Sequence, residues 1–418
     1  VPRSPAGERM TRTPRARLAA ASAVLALVAA ASLAAPARAD VVRTLDGESA
    51  GEVASIEGDG DALVVKTAGR AIPVAEVKEV VFPAAERETR PGPVRLFLTT
   101  GDELTGDVVA GDEDKVSLRS ASLGTLDVRL DLIRAVALTS DEADLRRFRK
   151  EIVPSTEKGD LVVTRSWTTQ TGRLERIDAR GISFDFPGGL GKVTLGAEKV
   201  IGARLEPLGK PPQPPPGLRA RLDLADGSIL FGKLRGYAGG VFTLDSALKA
   251  GLAVKSRDVR SLSFLGGRIV YLSDLEPTAT DEHAKDISLV FKHREDASVM
   301  GNPLRLDGKT YRKGIGVHAY SKLAYDLDGR YARLHAVIGL DDEAREMRGA
   351  TGTIRFQVLV DGKPALGEHG LALSTRDPAR PIDIDVAGAK TVELVADFGE
   401  SLDTLSRGGW ADAYLVKK

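Results

Sequence analysis

The chain of 418 residues has no cysteine. Disulfides, a lipid-bearing cysteine and any thiolate metal site are therefore excluded. Histidine is nearly as scarce: five residues, His283, His293, His318, His335 and His369, all lie in the last third. The zinc motif H-E-x-x-H is absent, and the one G-x-S-x-G match, Gly47-Glu-Ser-Ala-Gly51, stands among short strand-like runs without the following helix that a nucleophile elbow needs, so neither metalloprotease nor serine-hydrolase chemistry has a sequence basis. A glycosidase would need two carboxylates about 5 to 10 Å apart in a deep cleft, which small β modules rarely enclose. No enzymatic activity is expected. Charge of one sign is missing too, with 59 basic against 59 acidic residues. Phosphate binding needs a concentrated positive surface, and nucleic acid is not an expected partner.

Long apolar runs are confined to the beginning. Residues 1–39 read as a secretory signal with upstream residues: Arg12, Arg15 and Arg17 follow Met10, an Ala-rich apolar run extends from Leu18 to Ala35, and Ala37-Arg-Ala39 fits a small-x-small cleavage site. A retained membrane anchor is the rival reading, since about 20 strongly apolar residues would span a bilayer. Removal of the signal leaves 53 basic and 58 acidic residues, a formal charge of −5. The expected product is exported, periplasmic or extracellular, without a membrane span, and its abundant Ala, Arg and Gly fit a GC-rich bacterial genome.

What the chain does have is an internal period. Gly51, Gly106, Gly172 and Gly232 each precede an apolar tetrad, Val77–Val80, Ile133–Val136, Val200–Ala203 or Val259–Leu262, by 26 to 28 positions. Fixed internal spacing marks a repeated supersecondary unit. Alternating apolar residues, such as Leu96, Leu98, Val116, Leu118, Leu126, Val128 and Leu130, predict short half-buried antiparallel strands. The copies occupy residues 40–83, 94–138, 159–206 and 218–266. Their pattern, a strand pair, a bend at glycine and a short strand after the tetrad, resembles an Sm-like small barrel. Between copies two and three, residues 139–158 form a helix and linker: Thr139-Ser-Asp-Glu142 predicts a T-x-x-E capping box ahead of Leu145, Phe148 and Ile152. Residues 207–217, centred on Lys210-Pro-Pro-Gln-Pro-Pro-Pro216, predict a semi-rigid polyproline spacer.

From residue 268 onward the text changes. Tyr271-Leu-Ser-Asp-Leu-Glu-Pro277, Pro303-Leu-Arg-Leu-Asp-Gly308, Tyr311-Arg-Lys-Gly-Ile-Gly-Val-His-Ala319, Tyr325-Asp-Leu327, Val337-Ile-Gly-Leu-Asp-Asp-Glu343, Val360-Asp-Gly-Lys363 and Trp410-Ala-Asp-Ala413 stand in order. Residues 268–418 thereby resemble the NPCBM/NEW2 family, carbohydrate-binding modules also found attached to glycoside hydrolase family 98 enzymes. The resemblance implies a galactose-binding-like β-sandwich, a non-catalytic jelly roll that recognises glycans through loops at one edge. Independently, Leu323–Leu327, Leu334–Ile338, Ile354–Val360, Ile382–Val386 and Val392–Ala396 alternate apolar with polar residues, as sheets with one buried face require. The predicted fold class is all-β throughout, tandem barrel-like repeats followed by this sandwich.

Three constellations are candidates for recognition. His318 follows two glycines that let backbone approach closely; it either projects toward a sugar or bonds backbone as a structural histidine. Asp341, Asp342 and Glu343 form an acidic turn after a strand, suited to sugar hydroxyls or to a structural calcium, or simply solvated. Trp410 and Asp412 combine a ring that stacks on a pyranose with a carboxylate that orients hydroxyls, unless the tryptophan belongs to the core. Where many family members carry a histidine or acidic residue shortly before this tryptophan, the chain has Arg407-Gly-Gly409. No cofactor beyond that calcium is implied. The expected function is glycan or polysaccharide binding by the sandwich, with the repeats as spacer or second interaction surface. The alternative is an envelope assembly protein, its small barrels joining protein partners through strand edges.

Overall fold

The computed structural model describes residues 39–82, 91–188, 191–206, 217–285, 289–347 and 351–418. Residues 1–38, within the stretch that reads as a signal, most of the charged stretch before copy two and the proline-rich spacer lie outside the described residues. The described chain is all-β, with helix confined to short turns. None of its helices is long and apolar enough to cross a membrane.

In the first copy, strand Val41–Thr44 pairs with Gly47–Ala50 on one side and with Val77–Val81 on the other. The strand Val53–Glu57 then pairs with Val64–Thr67, which pairs with Ala71–Pro73. A single 3₁₀ turn, Val74–Glu76, leads into the last strand. No ladder closes the ring among the described residues, so each copy is a barrel-like curl and not a closed barrel.

The periodic glycines mark the corners. Gly106 pairs with Val94 at the point where its strand leaves that partner, and the next residue, Asp107, pairs with Arg119. A Cβ on Gly106 would lie 2.3 Å from the Arg119 carbonyl oxygen, one on Gly232 2.3 Å from that of Asp245, and one on Gly172 2.5 Å from that of Asp185. Gly51 has open space instead. A strand bent so sharply that two backbones touch leaves no room for a side chain.

The tetrads join the copies. Val80 and Val81 of copy one pair with Leu262 and Ser261 of copy four, while Val136 of copy two pairs with Ala203 of copy three. Copy two is also tied to copy four, where buried Asp226 accepts from the Ser120 hydroxyl at 2.5 Å and the Ser122 amide at 3.1 Å. All 21 strands of the repeats thus form one hydrogen-bonded network over a continuous apolar core running from Val42 to Leu262. Each fully buried Val or Leu in it contributes about 1.5–3 kcal/mol relative to exposure.

The helix after copy two, Glu142–Arg147, has a different cap from the expected one. Asp141 is the N-cap, its carboxylate accepting from the amides of Ala143 and Asp144, each at 2.9 Å. The Thr139 hydroxyl is used one step earlier, on the Asp141 amide at 3.2 Å. The carboxylate reaches both free amides of the first turn at once, and so displaces the capping box. Leu145, Phe148 and Ile152 cover Phe97, Ala135, Val163 and Ile201, binding copies two and three together.

The C-terminal part is a two-layered antiparallel sandwich. One sheet orders Arg294–Glu295, Gly314–His318, Arg407–Lys417, Tyr331–Leu340 and Arg380–Asp385, with Ile269–Tyr271 also on Arg407–Lys417. The other orders Ala279–Glu282, Ser321–Asp326, Thr391–Phe398, Thr353–Val360 and Lys363–Pro364, with Leu371–Ser374 also on Thr353–Val360. Inward residues of both sheets, among them Leu323, Tyr325, Ile338, Phe356, Leu394 and Trp410, form its core. Asp361 and Gly362, at φ 48° and 76°, make the two-residue hairpin turn that their sequence predicts.

The sandwich sits against copies one and four. Arg312 bridges Glu79 at 2.6 Å and Asp223 at 2.7 Å, and Lys78 meets Asp412 at 2.7 Å. Asp223 is held below the ordinary carboxylate range: burial pushes it up, and Arg221 and Arg312 together outweigh that push.

Candidate carbohydrate-binding rim

One end of the sandwich gathers loops from both sheets. Strand Gly314–His318 ends there, and the following residues cross to Ser321–Asp326 in the opposite sheet. His318 pairs with Arg407, whose carbonyl accepts the Asp341 amide at 2.9 Å. His318 and Asp341 are thus brought to one end, as neighbours of the same backbone.

His318 is buried, 5% exposed. Its Nδ1 lies 2.6 Å from the Ala319 carbonyl, the Asp403 backbone also bonds it, and its ring stacks on Phe291 at 4.8 Å. Desolvation lowers its pKa, so the ring is neutral near pH 7. Of the two roles open to it, this geometry is that of the backbone-bonded histidine.

The acidic turn is a single helical turn, Asp342–Arg345, and not an open loop. Asp341 caps it, accepting from the amides of Glu343 at 3.0 Å and Arg305 at 3.1 Å. Burial raises the Asp341 pKa to about 6 despite those bonds. Asp342 accepts from the Gly308 amide at 3.0 Å, and Glu343 from Asn302 at 2.6 Å and the Ser298 hydroxyl at 3.1 Å. The three carboxylates therefore anchor the loop 298–308 and point at three different places. Among the described residues no group of three or more His, Asp or Glu side chains is arranged to hold a metal ion.

Trp410 is fully buried and meets Phe356 edge to face, with centroids 5.2 Å apart. Its indole has no exposed face on which a pyranose would stack. Asp412 lies further along the same strand, away from His318, and faces the repeats through Lys78.

Rings accessible at the rim come from residues that sequence reasoning passed over. His283, on the loop after Ala279–Glu282, stacks on Tyr320 at 4.6 Å, and Phe398, at the end of Thr391–Phe398, lies 6.0 Å from His283 and 6.3 Å from Tyr320. Reciprocal backbone bonds between His283 and Tyr320, 3.1 and 3.3 Å, fix the two rings. His283 is exposed and the other two are half-buried. Asp281 bonds the His283 ring at 3.2 Å, and Lys285 lies 6.0 Å over Phe398. Flat ring faces bordered by donors and acceptors suit a sugar, which presents both C–H faces and hydroxyls. The one sequence signal for this cluster was Tyr320, which directly follows the His318-Ala319 motif.

Residues 268–416 match the family model described as the NPCBM/NEW2 domain. Over 122 residues the chain is 32% identical to a protein of Renibacterium salmoninarum provisionally named an endo-alpha-N-acetylgalactosaminidase; the match covers 29% of this chain and 8% of that protein's length. Among solved structures, a CBM51 from Clostridium perfringens GH95 in complex with methyl-galactose is 28% identical, covering 35% of this chain and 99% of the other at a TM-score of 0.31. The CBM51-2 and INT domains of Clostridium perfringens ZmpB, in complex with GlcNAc, are 24% identical over 45% of this chain and 37% of the other, at a TM-score of 0.32.

Proposed function

We propose that this is an exported, non-catalytic glycan-binding protein whose sandwich takes a sugar on the rim formed by His283, Tyr320 and Phe398, with the four repeats as its support. The match of residues 268–416 to a carbohydrate-binding family carries the reading. The ring cluster supports it by supplying the stacking surface that buried Trp410 does not. A shallow rim buries little apolar area and exchanges water for hydroxyl contacts, so single-site affinity is weak. The leader-like residues 1–39 favour export. Absence of catalysis is favoured by the state of the carboxylates, which are engaged as caps, loop anchors and ion pairs.

The reading is tested on a glycan array with the full chain. Binding of one glycan class by the wild type, lost in Phe398→Ala with unchanged melting, is the expected result. No binding to any glycan, or hydrolysis of one, would overturn it.

A further inference from the structure

We infer that the junction between sandwich and repeats is a second glycan site, one that neither part possesses alone. This rests on the reading of the protein as a glycan binder. Copies one and four and the outer face of the first sandwich sheet enclose a cavity of about 610 Å³, within the range of sites that hold small ligands.

Its lining selects for a neutral polyhydroxylated ligand. Most of the charged groups are paired with one another: Arg312 with Glu79 and Asp223, Lys78 with Asp412, Lys313 with Asp274 at 2.6 Å and Asp296 at 2.7 Å, and Arg43 with Glu79 at 2.8 Å, while Asp46 and Lys309 stand outside these pairs, Lys309 lying 5.0 Å over the Tyr311 ring. An ionic ligand would have to break such pairs, whereas an apolar one would strip water from them without replacement. The aromatic side chains are in the opposite state. Tyr271, Tyr311, Tyr414 and His335 all line the cavity. Among the described residues none of the three hydroxyls, and neither nitrogen of His335, makes a hydrogen bond. The rings themselves are ordered: His335 stacks on Tyr414 at 4.9 Å and Tyr271 meets Tyr414 edge on at 5.8 Å. Desolvation keeps His335 neutral near pH 7. Fixed ring faces, free hydroxyls and carboxylates with spare lone pairs match the C–H faces and hydroxyls of an oligosaccharide.

Amide hydrogen exchange of the full chain distinguishes this site from the rim. The probe is a panel of neutral disaccharides ending in galactose, N-acetylgalactosamine or N-acetylglucosamine. The expected result is slowed exchange at residues 43–48 and 309–313 that persists in Phe398→Ala. That protection should be lost in Thr310→Trp, where an exposed threonine on the cavity wall is replaced by a ring that fills it. Protection confined to residues 281–285, 318–321 and 397–403 would overturn the second site and leave the rim reading intact. Protection nowhere would overturn both.

Discussion

Trp410 shows how one residue type serves two chemistries. An indole on a sugar-binding module suits stacking, yet this one is fully buried against Phe356. Trp410→Ala is therefore expected to cost about 3–5 kcal/mol of stability, read as a lowered midpoint in denaturant unfolding. A different residue effect comes from His293, whose Nδ1 is 3.0 Å from Glu282 and Nε2 3.3 Å from Glu295. Hydrogen bonds to these carboxylates raise its pKa from 6.5 to about 9. Because the folded value lies above the unfolded one, the stabilisation is complete below pH 6.5 and is lost as pH rises through about 9. Calorimetry should find melting falling across that window, and His293→Gln should flatten the fall. The site was legible only in part. Family motifs led to His318 and Asp341, which do share one end. The rim rings escaped notice because His283, Tyr320 and Phe398 are isolated aromatics in three separate segments, with no local period to link them.

At the scale of elements the sequence was more informative. Alternation located the sandwich strands because a half-buried sheet imposes its period of two on the text, as Thr353–Val360 illustrates with every second residue from Ile354 to Val358 buried. Likewise the recurring glycine had a steric cause in three copies of four. Gly232→Ala should destabilise by about 1–3 kcal/mol, the range for forcing atoms into a packed region, since its Cβ would meet the Asp245 carbonyl. Gly51→Ala should change stability by less than about 0.5 kcal/mol, having open space around it. Equal costs at the two positions, measured by urea unfolding, would show that the corner geometry is not what the glycine serves. Capping was less legible: Thr139-Ser-Asp-Glu142 offers two competing oxygens, and only the folded geometry shows that Asp141 reaches the amides.

Across the whole molecule, the contacts that dock the sandwich were invisible in the text, because Arg312 reaches Glu79 across 233 positions and Asp223 across 89. Reversing the central charge tests how much the docking depends on them. Arg312→Glu places a third carboxylate between two others, and small-angle scattering should report a larger radius of gyration than for the wild type. An unchanged radius would mean that the apolar contacts of Leu45 with Ile269, Tyr271, Tyr414 and Val416 suffice. The order in which the copies find one another has its own consequence. The tetrad of the second joins that of the third, whereas the first waits for the fourth, some 180 positions later at Val81 and Ser261, like brackets nested within brackets. Closing so large a loop is entropically slow, and until it closes the strand Val77–Val81 has a bare flank open to other chains. A chain cut short before residue 218 would keep that flank bare permanently, so early termination should produce aggregation rather than a smaller working protein.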